Sequence, residues 1–245
     1  MTILVTGATG TLGRPLMREL ATRNLDARGL SRRAPGYTHA DLLTGEGLPA
    51  ALADVDLVIH AATDGRRDVR AAEHLLRAMR PDQHLLYVSI VGVDRVPLPY
   101  YRQKHAIESL VRARGGSILR ATQFHDLVFT LAKALTALPV GFYPSFSIQP
   151  VEVGEVAVRL ADLAATLSPG STPVFEDFGG PEIRSSHDLI RTYVAASHRR
   201  RALLPLRVPG RIFRAFRDGG HLAPEHALGT VTWEDYLSHR SPSTA

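Results

Sequence analysis

The sequence predicts an α/β fold, a doubly wound parallel sheet with a smaller, interleaved C-terminal portion for binding substrate. Three observations lead there. Short apolar runs alternate with longer stretches of helical periodicity. The strand candidates are apolar on both faces, as strands covered by helices on either side must be. A glycine-rich turn separates the first run from the first helical stretch.

In chain order, Thr2–Thr6 reads as a buried strand, and Leu12, Leu16, Met17 and Leu20 follow at helical spacing. Ala27–Ser31 is a second strand, interrupted by Arg28 and Gly29. Ala50, Leu52 and Ala53 suggest a helical turn before a third strand, Asp56–His60. Val69, Ala72, Leu75, Leu76 and Met79 form the next stripe. His84–Val93 begins as a strand, Tyr100–Arg114 returns to helix, and Gly116–Arg120 is a further strand. Past Ser145, Ile148–Val153 and Val174–Phe178 read as strands among helices. The expected division is a nucleotide-binding core over residues 1–145 and a mostly helical, substrate-covering portion over 146–245, with the tail Ser241–Ala245 frayed.

Composition removes several classes of function. The chain has 245 residues, 44% hydrophobic and 22% charged, the balance of a globular protein. Without cysteine there is no disulfide scaffold, thiolate zinc site, iron–sulfur cluster or cysteine nucleophile, and a reducing cytoplasm is the expected compartment. No apolar stretch approaches the ~18 residues of a membrane helix, and Met1–Gly7 is too short for a signal peptide, so no membrane partner is expected. The net charge of +5 is spread along the chain. Its dense run, His198–Arg201, and the recurrence of Arg211, Arg214 and Arg217 beside Ile212, Phe213 and Phe216 read as a solvated helix face rather than a nucleic-acid surface. His221, Glu225 and His226 are the nearest approach to a metal cluster and lack its spacing, so no metal is expected. Neither a nucleophile elbow nor a phosphate loop ending in Gly-Lys-Ser/Thr is present. Oligomeric state stays open between monomer and homodimer.

Parallel sheets bind ligands beyond the carboxyl ends of their strands. There, Thr6-Gly7-Ala8-Thr9-Gly10-Thr11-Leu12-Gly13 closes the first strand and opens the first helix. Glycines at 7, 10 and 13 permit a tight turn, close approach to a pyrophosphate, and packing of helix on strand. Gly7, Thr9, Gly10, Thr11, Leu12 and Gly13 are therefore candidate dinucleotide-binding residues. The second strand ends Leu30-Ser31-Arg32-Arg33 without an acid. A carboxylate there would suit the ribose hydroxyl of NAD, whereas Arg32 beside Ser31 suits a 2′-phosphate. NADP(H) is expected over NAD(H).

This loop resembles the short-chain dehydrogenase/reductase superfamily in its extended or atypical branch. Ser89-Ile90-Val91-Gly92, Tyr100-Tyr101-Arg102-Gln103-Lys104 and Leu119-Arg120-Ala121-Thr122-Gln123-Phe124-His125 narrow the resemblance to NmrA-like NAD(P)-binding proteins, continuing through Gly179-Gly180-Pro181-Glu182. The resemblance implies a Rossmann-type core, with Asp41 and Leu42 beside the adenine and Ala61, Ala62 and Thr63 under the adenosine ribose.

Tyr100 and Lys104 are four residues apart on a helix, on one face. A phenol titrating near 10 needs help to exchange protons near neutrality, and an adjacent ammonium can give it. The resemblance assigns proton transfer to Tyr100, tuning and ribose binding to Lys104, and orientation of the substrate oxygen to Ser89. Tyr101 competes with Tyr100. Gln123, Phe124 and His125, after the next strand, and Phe142 are substrate-binding candidates, with His125 either an acid/base or a core residue. The implied activity is NADPH-dependent reduction of a small carbonyl or quinone. The alternative is a non-catalytic NADP(H) redox sensor, since NmrA-like proteins include such members.

Overall fold

The computed structural model describes residues 1–240, so the tail expected to fray lies outside the described residues. The elements run β1 (Thr2–Thr6), α1 (Gly13–Thr22), β2 (Asp26–Ser31), β3 (Thr38–His39), α2 (Leu48–Leu52), β4 (Leu57–His60), α3 (Asp68–Ala78), β5 (His84–Ile90), α4 (Pro99–Ala113) and β6 (Ser117–Ala121). They continue through α5 (His125–Leu135), β7 (Val140–Pro144), β8 (Ser147–Ile148), α6 (Val153–Thr166), β9 (Phe175–Phe178), β10 (Arg184–Ser185), α7 (Ser186–Ala196), β11 (Ala202–Leu206), α8 (Arg211–Arg217) and α9 (Trp233–His239).

Seven strands form the main sheet in the order β3-β2-β1-β4-β5-β6-β9. The pairs β2–β3, β1–β2, β1–β4 and β4–β5 are parallel. Sequence order reverses between β1 and β4, which opens a crevice at their carboxyl ends. This is the Rossmann-like arrangement that the alternating pattern predicts.

The chain divides into two compact units of three segments each. The first comprises Met1–Ser89, Pro99–Arg120 and Val153–Glu176; the second comprises Ile90–Leu98, Ala121–Glu152 and the chain from Asp177 onward. A single boundary after residue 145 does not describe this. Helix α6 carries Val156, Leu160 and Ala164, all buried, and packs on α1, with Arg23 Nη1 donating to Asp162 at 2.6 Å. That apolar stripe returns the segment to the first unit.

The first unit's core joins Leu4, Val58, Leu75, Leu85, Tyr87 and Ile107. The second has its own core of Val128, Leu189, Tyr193, Trp233 and Leu237. Two sequence expectations are corrected in the second unit. Ile148–Val153 is not one continuous strand, because Pro150 cannot donate to a ladder; Ser147–Ile148 pairs with β10, Val151 makes an isolated parallel bridge with Phe124, and Val153 opens α6. The run His198–Arg201, read as a helix face, lies past the end of α7 in turn and coil, and the residues after it, 202–206, form β11 and pair in parallel with β7.

Candidate cofactor and proton-transfer site

The turn after β1 is tied to the turn after β4. Thr6 Oγ1 accepts from Ala62 N at 3.3 Å and shares a hydrogen bond with His60 Nδ1 at 2.7 Å. Burial, with the Lys104 charge, lowers His60 to about 3, so the ring is neutral. Gly7 sits at φ +73°, and a Cβ there would lie 2.7 Å from Ala62 N. A Cβ on Gly13 would lie 2.0 Å from Gly7 O. The loop therefore closes against both the helix and its neighbour strand. Thr9, Gly10 and Thr11 face solvent, and no side chain caps the N-terminus of α1.

At the end of β2, Ser31 Oγ accepts from Arg33 N at 3.3 Å and Ala34 N at 3.0 Å, setting the loop while Arg32 and Arg33 stay exposed. Asp41 Oδ1 accepts from Leu43 N at 2.8 Å, which fixes the turn that carries Leu42.

Beyond β4, Thr63 Oγ1 donates to Asp68 Oδ2 at 2.5 Å and lies 3.1 Å from the Tyr100 hydroxyl. Tyr100 stands in the first turn of α4 and is partly exposed, whereas Tyr101 is buried with its ring 6.4 Å away. The Lys104 ammonium is buried and donates to Val88 O at 3.5 Å. It lies 5.0 Å from the Tyr87 ring and 5.8 Å from the Tyr100 ring. Burial lowers Lys104 to about 8 against the opposing charges of Asp68 and Glu108. Burial also raises the Tyr100 phenol above its ordinary value. Lysine thus meets the tyrosine over its ring, not at its oxygen. The Ser89 hydroxyl is buried and has no hydrogen-bond partner among the described residues.

Sequence reasoning misses His60, Asp68 and Tyr87. Tyr87 lies within an apolar strand pattern and His60 looks like a strand end. Asp68 carries a visible signal, an acid at the start of a predicted helix, whose reach to Thr63 depends on the loop between them.

Gln123, Phe124, His125 and Phe142 belong to the second unit. Gln123 Nε2 donates to His221 O at 3.4 Å, and Phe124 precedes α5. His125 is buried, 3.3 Å from Glu152 Oε2 and packed 5.6 Å from Trp233 and 4.9 Å from Tyr236. Phe142 is exposed on β7.

The chain belongs to the NAD(P)H-binding family, which matches residues 7–130. No curated protein matches its sequence. Among solved structures, an NADPH-dependent quinone oxidoreductase from Escherichia coli, complexed with NADPH, is 17% identical at a TM-score of 0.78, covering 97% of this chain and 99% of its own. The triphenylmethane reductase of Citrobacter sp., complexed with NADP(H), is 17% identical at a TM-score of 0.79, covering 98% and 99%. The UDP-glucose 4-epimerase of Thermus thermophilus, in complex with NAD, is 18% identical at 0.68, covering 98% of each. At these identities the likeness establishes a shared fold.

Proposed function

We propose that the protein is an NADPH-dependent oxidoreductase of the short-chain dehydrogenase/reductase type, reducing a small carbonyl or quinone. The observation that carries the reading is the grouping, in one unit with the glycine loop, of a partly exposed phenol (Tyr100), a buried ammonium with one long acceptor (Lys104) and a buried hydroxyl with no partner (Ser89). Two fold relatives that act on quinones or triphenylmethanes with NADPH or NADP(H) agree with it.

The residues present fit the cofactor. The closed glycine turn and the uncapped α1 suit a pyrophosphate. Arg32 with Ser31 would take the 2′-phosphate, Asp41 and Leu42 the adenine, and Ala61–Thr63 the adenosine ribose. Lys104, with donors to spare, would hold the nicotinamide ribose. NADPH, when bound, supplies hydride. Ser89 would orient the acceptor oxygen, and Tyr100 would give it a proton as negative charge develops. Within the second unit, the burial of His125 among aromatic rings favours a supporting role for it over an acid/base role.

Turnover of NADPH against quinones, enones and ketones tests the reading. Tyr100→Phe should keep cofactor affinity and lose at least about tenfold in turnover. Unchanged turnover in that variant would sink the mechanism. One observation favours the sensor alternative: the Tyr100 hydroxyl is engaged by Thr63 and Lys104 is over the ring. Saturable NADPH binding with no turnover on any acceptor would support it.

A further inference from the structure

We propose that Asp68, acting through Thr63, keeps the Tyr100 phenol protonated and aimed, so that the site is set to give a proton in reduction rather than to take one in alcohol oxidation. The inference rests on Tyr100 as the proton donor.

A hydroxyl carries one proton. Thr63 Oγ1 gives it to Asp68 Oδ2 at 2.5 Å, so toward the Tyr100 oxygen, 3.1 Å away, it can only accept. The phenol completes that pair only while it holds its own proton. Asp68 is fixed in turn: its Oδ1 accepts from Asp64 N at 2.7 Å and Gly65 N at 3.2 Å, and the residue is 3% exposed. Nothing about the carboxylate is free to turn away.

The other groups around the phenol act less directly. Lys104, a turn further along α4, places its ammonium over the rings of Tyr100 and Tyr87. Tyr87 from β5 is a neutral phenol, its ionisation pushed up by burial, and the Tyr101 ring is tilted against that of Tyr100. Burial first raises the Tyr100 phenol; a bond donated by Thr63 would oppose this, and the charge of Asp68 adds to it. Because the Thr63 proton goes to Asp68, the opposing effect is switched off. In the reduction the phenol O–H bond breaks as the substrate O–H bond forms, and the phenolate recovers a proton from water. Thr63 and Asp68 are positioning residues for that step.

The test is the ionisation of Tyr100, read by ultraviolet difference titration of each protein against its own Tyr100→Phe partner. Asp68→Asn removes the charge and offers an amide N–H to Thr63, which frees the Thr63 proton for Tyr100. The phenol midpoint should fall by about one pH unit or more. An unmoved midpoint in a folded Asp68→Asn protein would overturn the proposal and leave Asp68 a brace for the loop before α3. Should that variant not fold, Thr63→Val leaves both backbone bonds of Asp68 intact. With NADPH kept saturating, it should lose at least about tenfold in kcat, with Thr63→Ser within about twofold of the parent. A Thr63→Val protein as fast as the parent would overturn the link. Failure of the reductase reading looks different: Tyr100→Phe itself turns over normally, while the titration still reports whether Asp68 controls the phenol.

Discussion

The Lys104 ammonium lies 5.0 Å from the centre of the Tyr87 ring, inside the first unit and almost wholly withdrawn from water. Cation–π contact returns only part of the hydration lost, which is why the amine falls to about 8 from 10.5.

That depression has a stability consequence with a definite sign. The folded protein binds the Lys104 proton more weakly than the unfolded chain does, so stability rises with pH between about 8 and 10.5. Below that window the full cost of the buried charge applies, on the order of 3 kcal/mol. Lys104→Met should be more stable than the parent near neutrality, and the gap should close as pH climbs through the window. Denaturant unfolding of both proteins across that range measures it, and a constant gap would mean the amine is not desolvated. NADPH affinity should fall in the same variant.

Two of the loop glycines, Gly10 and Gly13, should separate by experiment. A methyl on Gly13 would fall 2.0 Å from Gly7 O, so Gly13→Ala should cost about 1–3 kcal/mol in stability as well as cofactor affinity. At Gly10 the added carbon meets only Gly7 O at 3.2 Å and otherwise faces solvent. Gly10→Ala should therefore unfold near the parent's temperature yet bind NADPH at least about tenfold more weakly, because the methyl stands where a phosphate must approach. Thermal unfolding and fluorescence titration of NADPH read the two effects independently. Equal loss of Tm in both variants would contradict this geometry.

Most of this frame is legible in the letters, because both its causes are local. Period-two and apolar runs place the strands, and Gly7, Gly10 and Gly13 announce the turn between β1 and α1. What escapes depends on contacts distant in sequence. Val153–Thr166 looks like any amphipathic helix, and only its packing on α1 assigns it to the first unit. His60 and Tyr87 read as strand residues, since nothing near them in sequence shows that their rings stack at 5.5 Å. The helical spacing of Tyr100 and Lys104 is real, but spacing cannot show that the ammonium meets the ring instead of the oxygen. Nor can it place Asp68, five residues beyond Thr63, within reach of the threonine hydroxyl.

Cofactor choice should turn on Arg32. The side chain is exposed at the end of β2 and no carboxylate stands beside it in that strand end. A charge-assisted hydrogen bond to a phosphate is worth about 1.5–3 kcal/mol, so Arg32→Ala should weaken NADPH by roughly ten- to a hundredfold. NADH, which lacks the 2′-phosphate, should be held nearly as before. Raising the salt should narrow the preference of the parent and leave that of the variant almost unchanged. Parallel titrations with the two cofactors decide it; equal losses for both would mean that Arg32 shapes the loop instead of reading the phosphate.

Acid should undo the fold through His60. Buried beside Thr6 and stacked on Tyr87, the ring stays neutral down to about 3, whereas in the unfolded chain it takes a proton near 6.5. Between those values the unfolded chain binds the extra proton, so stability is intact above about 6.5 and falls as pH drops toward 3. His221, lowered to about 4 by burial, contributes in the same direction. His60→Asn keeps a hydrogen-bond partner for the Thr6 hydroxyl and removes the titration. Its stability near neutrality should be lower, since the stacked ring is lost, but its decline from pH 6.5 to 4 should be shallower than the parent's. Urea unfolding at fixed pH steps gives both curves. Parallel curves would show that the histidine is already solvated in the folded protein, and with it that the Thr6–His60 bond does not hold the β1 and β4 turns together.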